Sequence, residues 1–152
     1  MFERLKEICE RGKNINENDI LHNVFENKNI QDKILSLQLN EQLYLKGVDI
    51  NEESLGEYSD YTIFYKQNIA GLIGNDTRAD NITLKDTGQM YESARIINEK
   101  SAIIISMDTM KDGQDLQTRF GQFVGLTQNS KDEIIEDIKE PIKEEIRKYI
   151  TG

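Results

Sequence analysis

Apolar positions recur at helical spacing from the start of the chain. Phe2, Leu5, Ile8 and Cys9 mark one face of a helix over residues 1–13 that Gly12 ends. A polar, Asn-rich link from Asn14 to Asn18 precedes a second short helix carrying Ile20, Leu21, Val24 and Phe25. Between Gln31 and Lys46, the positions Ile34, Leu35, Leu37, Leu39, Leu43, Tyr44 and Leu45 predict a further helix ending at Gly47. Ile34, Leu37 and Leu39 would also suit a strand followed by a short helix.

The middle of the chain loses this regularity. From Val48 to Tyr58 no period of 2 or 3.6 survives, and Asp49, Asn51, Ser54 and Gly56 are turn formers, so a loop is expected. Ser59 can cap a short helix through Lys66, after which Gly71, Gly74, Asn75 and Asp76 predict an exposed, mobile loop to Asp80. Ile82-Thr83-Leu84 reads as a short strand. Asp86 stands where an N-cap belongs, with Gln89 three residues on and Met90, Tyr91 and Ala94 on one face of a short helix.

Ala94 to Ile97 and Ala102 to Ile105 form the clearest strand pair, joined across Asn98-Glu99-Lys100-Ser101, and their β-branched runs suit a sheet covered by helices. Asp108 to Gln114 is a polar turn region, and Leu116, Phe120, Phe123 and Val124 predict a helix over 116–124. At the end of the chain, Ser130 and Glu133 form a capping box ahead of Ile134, Ile138, Ile142, Ile146 and Ile150, which recur every four residues along one helical stripe. Pro141 should kink or divide that helix. The expected fold is α+β. A helical segment (1–47) precedes an α+β core (48–127) with a small, mainly antiparallel sheet around residues 82–105, and a long amphipathic helix (128–152) follows, all in one domain.

Charge narrows the function classes. The 152 residues include 28 acidic and 19 basic side chains, a formal net charge of −9. Coating nucleic acid or an anionic membrane surface draws on Lys and Arg, so both are disfavoured. No apolar run approaches the ~20 residues of a membrane span, and Met1 to Glu7 lacks the apolar core of a signal peptide, so synthesis in the cytoplasm is expected. The single Cys9 cannot form an internal bridge and reads as a small buried or half-buried apolar residue rather than a nucleophile, since only His22 could serve as its base.

Candidate chemistry is sparse. Asp86-Thr87-Gly88 matches the signature of an aspartic protease, in which two carboxylates at ~3 Å share one proton, so one copy would need a symmetric homodimer. Lys85 before it and Gln89 after it are the wrong context, and a helix N-cap explains all three residues. Asp108 to Gly113 resembles the start of a calcium loop, but Met110 and Arg119 fall where oxygen ligands are needed, so a turn is the better reading. There is no second Cys or His, no HExxH and no phosphate-cradling Gly-Lys-Ser/Thr string. No catalytic, cofactor-binding or metal-ligating residue is expected, and His22 reads as a partly exposed helix residue. Tyr44, Tyr58, Tyr61, Tyr65 and Tyr91 could stack bases, but without nearby basic residues they suit protein contacts better.

One ordered pattern is informative. Gly47-Val48-Asp49, Leu55-Gly56-Glu57-Tyr58-Ser59, Thr62 with Tyr65-Lys66, Ile82 to Met90 including Asp86-Thr87-Gly88, Ser93, and the closing Arg119-Phe120-Gly121 and Gly125-Leu126-Thr127 follow one another over residues 40–127. This pattern resembles the virion morphogenesis and tail-completion proteins of tailed bacteriophages, and within them most closely the neck ring proteins of crAss-like phages.

The resemblance implies a non-enzymatic virion protein assembled in the host cytoplasm. It would form a ring of identical copies, a dodecamer favoured over a hexamer, between the portal and adjacent neck or tail proteins. DNA would pass through it without being a tight ligand, and no membrane or cofactor would be involved. Gly47, Gly56, Tyr58, Thr62, Lys66, Asp86, Thr87, Gly88 and Ser93 would then be fold and assembly determinants, with Tyr58 in the place of the Trp or other aromatic that many relatives carry.

The acidic excess is concentrated in the same region. Residues 49–127 hold 13 acidic against 7 basic residues, whereas 1–48 hold 8 against 7 and 128–152 hold 7 against 5. Asp49, Glu52, Glu53, Glu57 and Asp60 form a loop expected to face either a DNA channel, where like charge prevents sticking, or a basic patch on a neighbouring ring. The rival from another class is an acidic intracellular adaptor, or a DNA mimic that inhibits a basic host protein, with carboxylates spread regularly over one face.

Overall fold

A computed structural model describes residues 2–99 and 102–152 of the chain. Met1 and two residues of the expected hairpin connection, Lys100 and Ser101, lie outside the described residues. The fold is α+β, with seven α-helices and two small antiparallel hairpins among the described residues.

The Asn-rich links act as caps. Helix α1 (Phe2–Lys13) is followed by α2 (Glu17–Phe25), whose N-cap Asn16 accepts from the amides of Asn18 and Asp19, and by α3 (Lys28–Ser36), whose N-cap Asn27 accepts from the Asn29 amide. The next segment is neither the plain helix nor the strand expected from its Leu pattern. Helix α3 continues directly into a π-helix, Leu37–Lys46, which ends at Gly47 with φ of 60°. Bonding from i to i+5 widens the turn, so residues four and five apart share a face, and Leu37, Gln38, Gln42 and Leu43 are all buried. The two glutamines take up main-chain groups of the loop before the last helix. Gln38 donates to the Phe123 carbonyl (2.8 Å) and accepts from the Gly125 amide (2.7 Å), while Gln42 donates to the Gly125 carbonyl (2.9 Å) and accepts from the Thr127 amide (3.3 Å).

Strands β1 (Arg95–Glu99) and β2 (Ala102–Ser106) pair antiparallel with Ile96 opposite Ile105 and Asn98 opposite Ile103. Ile96, Ile103 and Ile105 pack on Val24, Ile30, Ile34, Leu37, Ile134 and Ile138, whereas Ile104 on the other face is 40% exposed. Helices therefore cover one face of this ribbon, not both. Asp112 (φ 51°) and Gly113 (φ 79°) form the tight turn between β3 (Met110–Lys111) and β4 (Gln114–Asp115), a hairpin where a polar turn was expected.

Several local expectations are overturned. Ile82 to Leu84 is not a strand, and the sheet begins only at Arg95, because the main chain of Thr83 is bonded by side chains. The Tyr58 hydroxyl accepts from the Thr83 amide (3.0 Å), and the Tyr91 hydroxyl donates to the Thr83 carbonyl (2.5 Å). The predicted helix over 116–124 stops early. Helix α6 is Leu116–Phe120, ended by Gly121 at φ 92°, and Phe123 instead fills the core with no exposure.

Helix α7 (Gln128–Thr151) starts earlier than the Ser130–Glu133 pattern implied. Thr127 is its N-cap and accepts from the Ser130 amide (3.3 Å), while Glu133 meets Lys33 of α3 at 3.2 Å. Asp137 also pairs with Lys33, and its carboxylate, with that of Glu133, holds the ammonium above the usual lysine range. Pro141 neither divides nor ends α7, which continues to Thr151. Burial of Ile134 and Ile138 and the pairs Lys139–Glu136 (2.7 Å) and Lys143–Glu140 (2.9 Å) support the turns on either side of it.

The core forms two apolar clusters that the π-helix connects. The first joins α2, α3, α7 and the β1–β2 ribbon; the second gathers Leu43, Leu55, Ile82 and Phe123, with Tyr58, Met90, Tyr91 and Phe120 at its edge. Leu37 belongs to the first cluster and Leu43 to the second.

Candidate functional site

Four of the resemblance-bearing residues, Gly47, Gly56, Tyr58 and Lys66, meet the irregular segment Asn81–Gly88. The π-helix ends beneath it at Gly47, where a Cβ would stand 2.6 Å from both Asn81 Nδ2 and the Ile82 carbonyl oxygen. With positive φ and this close approach of backbone, only glycine fits. Gly56, its amide on Ser54 Oγ (3.1 Å), passes beside Ile82. Tyr58 bonds Thr83 as described. Ser93 donates to the Met90 carbonyl (2.6 Å) and accepts from the Asp108 amide (2.9 Å), fixing the short helix α5 (Gln89–Glu92) to the irregular segment between β2 and β3.

Asp86 is not the N-cap of α5. Leu84 (φ 56°) and Gly88 (φ 91°) turn the chain so that the helix begins at Gln89, whose amide meets Thr87 Oγ1 at 3.4 Å. Asp86 instead lies 3.7 Å from the Lys111 ammonium through Oδ2, and its Oδ1 is out of solvent with no hydrogen-bond partner. The Asp86, Lys111, Tyr58, Thr62, Lys66 and Arg119 side chains line a cleft of about 370 Å³.

Helix α4 (Asp60–Asn68) is capped by Ser59, which accepts from the Thr62 amide (3.2 Å), as its sequence predicts. Its orientation is the reverse of an ordinary surface helix. Lys66 is buried at 3% exposure, donating to the Lys85 carbonyl (2.8 Å) and Asp76 Oδ2 (3.3 Å), with its ammonium 5.1 Å from the Tyr58 ring centroid. Tyr61 and Phe64, on the opposite side of the helix, are 79% and 57% exposed. In the 3₁₀ turn that follows (Ala70–Ile73), Leu72 and Ile73 are also exposed.

Asp76 is the residue that sequence reasoning missed. Expected in an exposed, mobile loop, it is anchored: Oδ1 accepts from the Tyr44 hydroxyl (2.9 Å), Oδ2 from Lys66 and the Arg78 amide (3.2 Å), and its own amide donates to the Asp86 carbonyl (2.9 Å). The Asp76 carboxylate raises the Tyr44 pKa, and burial pushes the Tyr91 phenol well up. A Gly-Asn-Asp run reads as a turn by local rules. The available signal lay in Lys66, a lone cation on a short helix that needs a counter-charge when buried.

The acidic loop divides into two groups. Asp49 is internal to it, accepting from the amides of Asn51 (2.8 Å) and Glu53 (3.0 Å), and Glu52 accepts from Asn129 of α7 (2.9 Å). Glu53, Glu57 and Asp60 are exposed. From Asp49 to Thr77 the sequence contains only one basic residue, Lys66, and it is buried.

The tyrosines divide too. Tyr44, Tyr58 and Tyr91 surround Thr83 and Lys85, Tyr65 accepts from Asn75 (2.9 Å), and Tyr61 faces outward. Cys9 is exposed rather than buried, on a helix none of whose residues is buried. His22 is partly exposed, with Nε2 3.6 Å from Glu26. Among the described residues no group of three or more His, Cys, Asp or Glu side chains is placed to hold a metal ion, and no helix is long and apolar enough to cross a membrane.

No protein-family model, curated protein or solved structure matches this chain.

Proposed function

We propose that this chain is a non-enzymatic structural subunit of a tailed-phage virion, assembling as a ring in the neck between portal and tail. The observation that carries the reading is the inverted polarity of α4: its lysine is buried, while Tyr61 and Phe64, with Leu72 and Ile73 beyond, face solvent. An apolar face of this kind on an otherwise charged surface suits a partner-covered interface. A ring of identical subunits supplies such a partner at every interface.

The ordered pattern from Gly47 to Thr127 supports placing that assembly at the head–tail junction. Glu53, Glu57 and Asp60, exposed and in no ion pair among the described residues, suit a surface that repels passing DNA or meets a basic neighbour. Mass spectrometry of purified virions with copy-number estimation tests the reading: the chain is expected at the stoichiometry of one ring. An amber codon in the gene should give DNA-filled heads that lose DNA or lack tails. Absence from the virion, or retention of a basic host protein alone in a pull-down, would replace this reading with the inhibitor or adaptor one.

A further inference from the structure

The cleft between α4, the β3–β4 hairpin and α6 has no part in the ring reading. Tyr65 and Phe120 give it aromatic walls, while Lys111, Gln114 and Arg119 bring side-chain donors from β3, β4 and α6. Its volume of about 370 Å³ falls within the range of about 300–1,000 Å³ that small-ligand pockets occupy.

The charges in the cleft run against the net charge of −9. Two of its cations are engaged inside the fold: Lys66 pairs with Asp76, and the Lys85 ammonium lies 5.3 and 5.4 Å from the ring centroids of Tyr44 and Tyr91. The other two, Lys111 and Arg119, are exposed. Arg119 makes no ion pair among the described residues, and its guanidinium lies over the Phe120 ring, 4.9 Å from the centroid. A guanidinium held over a ring keeps its edge N–H groups free to bond an oxyanion in the plane.

Lys111 is held only loosely. Asp86 Oδ2 is 3.7 Å from its ammonium, well beyond the about 2.7–2.9 Å of a charge-assisted hydrogen bond, and Asp86 Oδ1 has no partner at all. A partly exposed pair at this distance contributes little, so an incoming anion can take Lys111 from Asp86 at small cost. The chain is turned into this position by Leu84, which also lines the cleft and has φ of 56°. Left-handed backbone at a leucine is strained, and such strain collects at ligand sites.

We propose that the cleft binds an oxyanion carried on an aromatic body, a carboxylate or a phosphate monoester. Arg119, Gln114 and Lys111 bond the anion, Tyr65 and Phe120 pack on the body, and Asp86 competes with the ligand for Lys111. A cationic ligand would meet two exposed cations with only Asp112 left to pair with it, so charge selects the anion. The site stands or falls independently of the ring.

The 152-residue chain is titrated with phenyl phosphate and, separately, with 3-phenylpropionate, and backbone amide shifts are followed by NMR. Shifts confined to residues 84–86 and 111–120 are expected with at least one probe, which identifies the oxyanion. Arg119→Gln, with an unchanged thermal midpoint, should weaken that probe about tenfold. Asp86→Asn should tighten it about two- to fivefold by releasing Lys111. Asp112→Asn removes the same charge without freeing a cation and should change it less than about twofold.

No shift at the cleft with either probe would overturn the proposal. So would equal binding of benzyl alcohol, which has the ring without the anion, or of inorganic phosphate, which has the anion without the ring. Equal gains in Asp86→Asn and Asp112→Asn would reduce the effect to overall charge and overturn the competition for Lys111.

Discussion

Lys66 and Asp76 form an ion pair at 3.3 Å with both side chains almost wholly out of solvent, 4% and 9% exposed. The pair ties α4 to a segment whose local sequence specifies only turns, and it is the interior counterpart of the apolar face that α4 turns outward.

Removing one member of a buried pair strands the other charge, at a cost of about 3–5 kcal/mol. Asp76→Asn should therefore be strongly destabilising in urea denaturation. Lys66→Met combined with Asp76→Asn should recover much of the loss, since neither charge then remains unpaired. Equal losses for the single and double variants would reject a charge-based account of this site.

Tyr58 accepts from the Thr83 amide at 3.0 Å. Tyr58→Phe leaves that amide without this partner and should cost about 1–3 kcal/mol. Amide hydrogen exchange should localise the effect, with protection at Thr83 falling more than protection in α2 or α7.

Burial raises the Tyr91 pKa, which sets the sign of an alkaline dependence. In the unfolded chain the phenol ionises near its ordinary value of about 10, while in the folded protein it stays protonated. The contribution is fully present below about pH 10. Above that, stability should fall by about 1.4 kcal/mol per pH unit until the folded phenol itself ionises. Urea midpoints followed from neutral to alkaline pH should show this limb in the wild type and a flatter one in Tyr91→Phe.

Helix α7 passes through Pro141 without ending. Because proline supplies no amide donor to the preceding turn, Pro141→Ala should stabilise the protein by about 1–3 kcal/mol. The thermal midpoint should rise, and an unchanged or lower midpoint would mean that the proline is accommodated without strain.

Tyr61→Ser with Phe64→Ser changes only exposed side chains and should alter stability by no more than about 0.5 kcal/mol per site. The same variant should lose self-association in sedimentation at high concentration and fail to enter particles. Normal incorporation would remove the α4 face from the interface.

Where local chemistry decides the outcome, the sequence was legible. The Asn caps of α2 and α3, the Ser59 cap of α4, the end of the π-helix at Gly47, the β1–β2 pairing and the Ile134–Ile138 stripe all follow from side chains acting within a few residues or from strong periodicity. The failures share a cause. Ile82 to Leu84 has the composition of a strand, yet distant tyrosine hydroxyls occupy its main chain. Asp86 looks like a cap, yet the chain bends after it. The π-helix, the early stop of α6 and the exposure of Cys9 likewise depend on what lies across the core.

By itself the sequence determined the α+β class, the order of the helices, the principal hairpin and the acidic excess between residues 49 and 127, because periodicity, capping and charge are properties of neighbouring residues. Tertiary structure alone decided that Lys66 points inward and Tyr61 and Phe64 outward, that Asp76 is a buried anchor, and that only Glu53, Glu57 and Asp60 of the acidic loop remain exposed and unused. Those outcomes turn on pairings between segments far apart in the chain, where the energy of satisfying a buried charge or amide outweighs local preference.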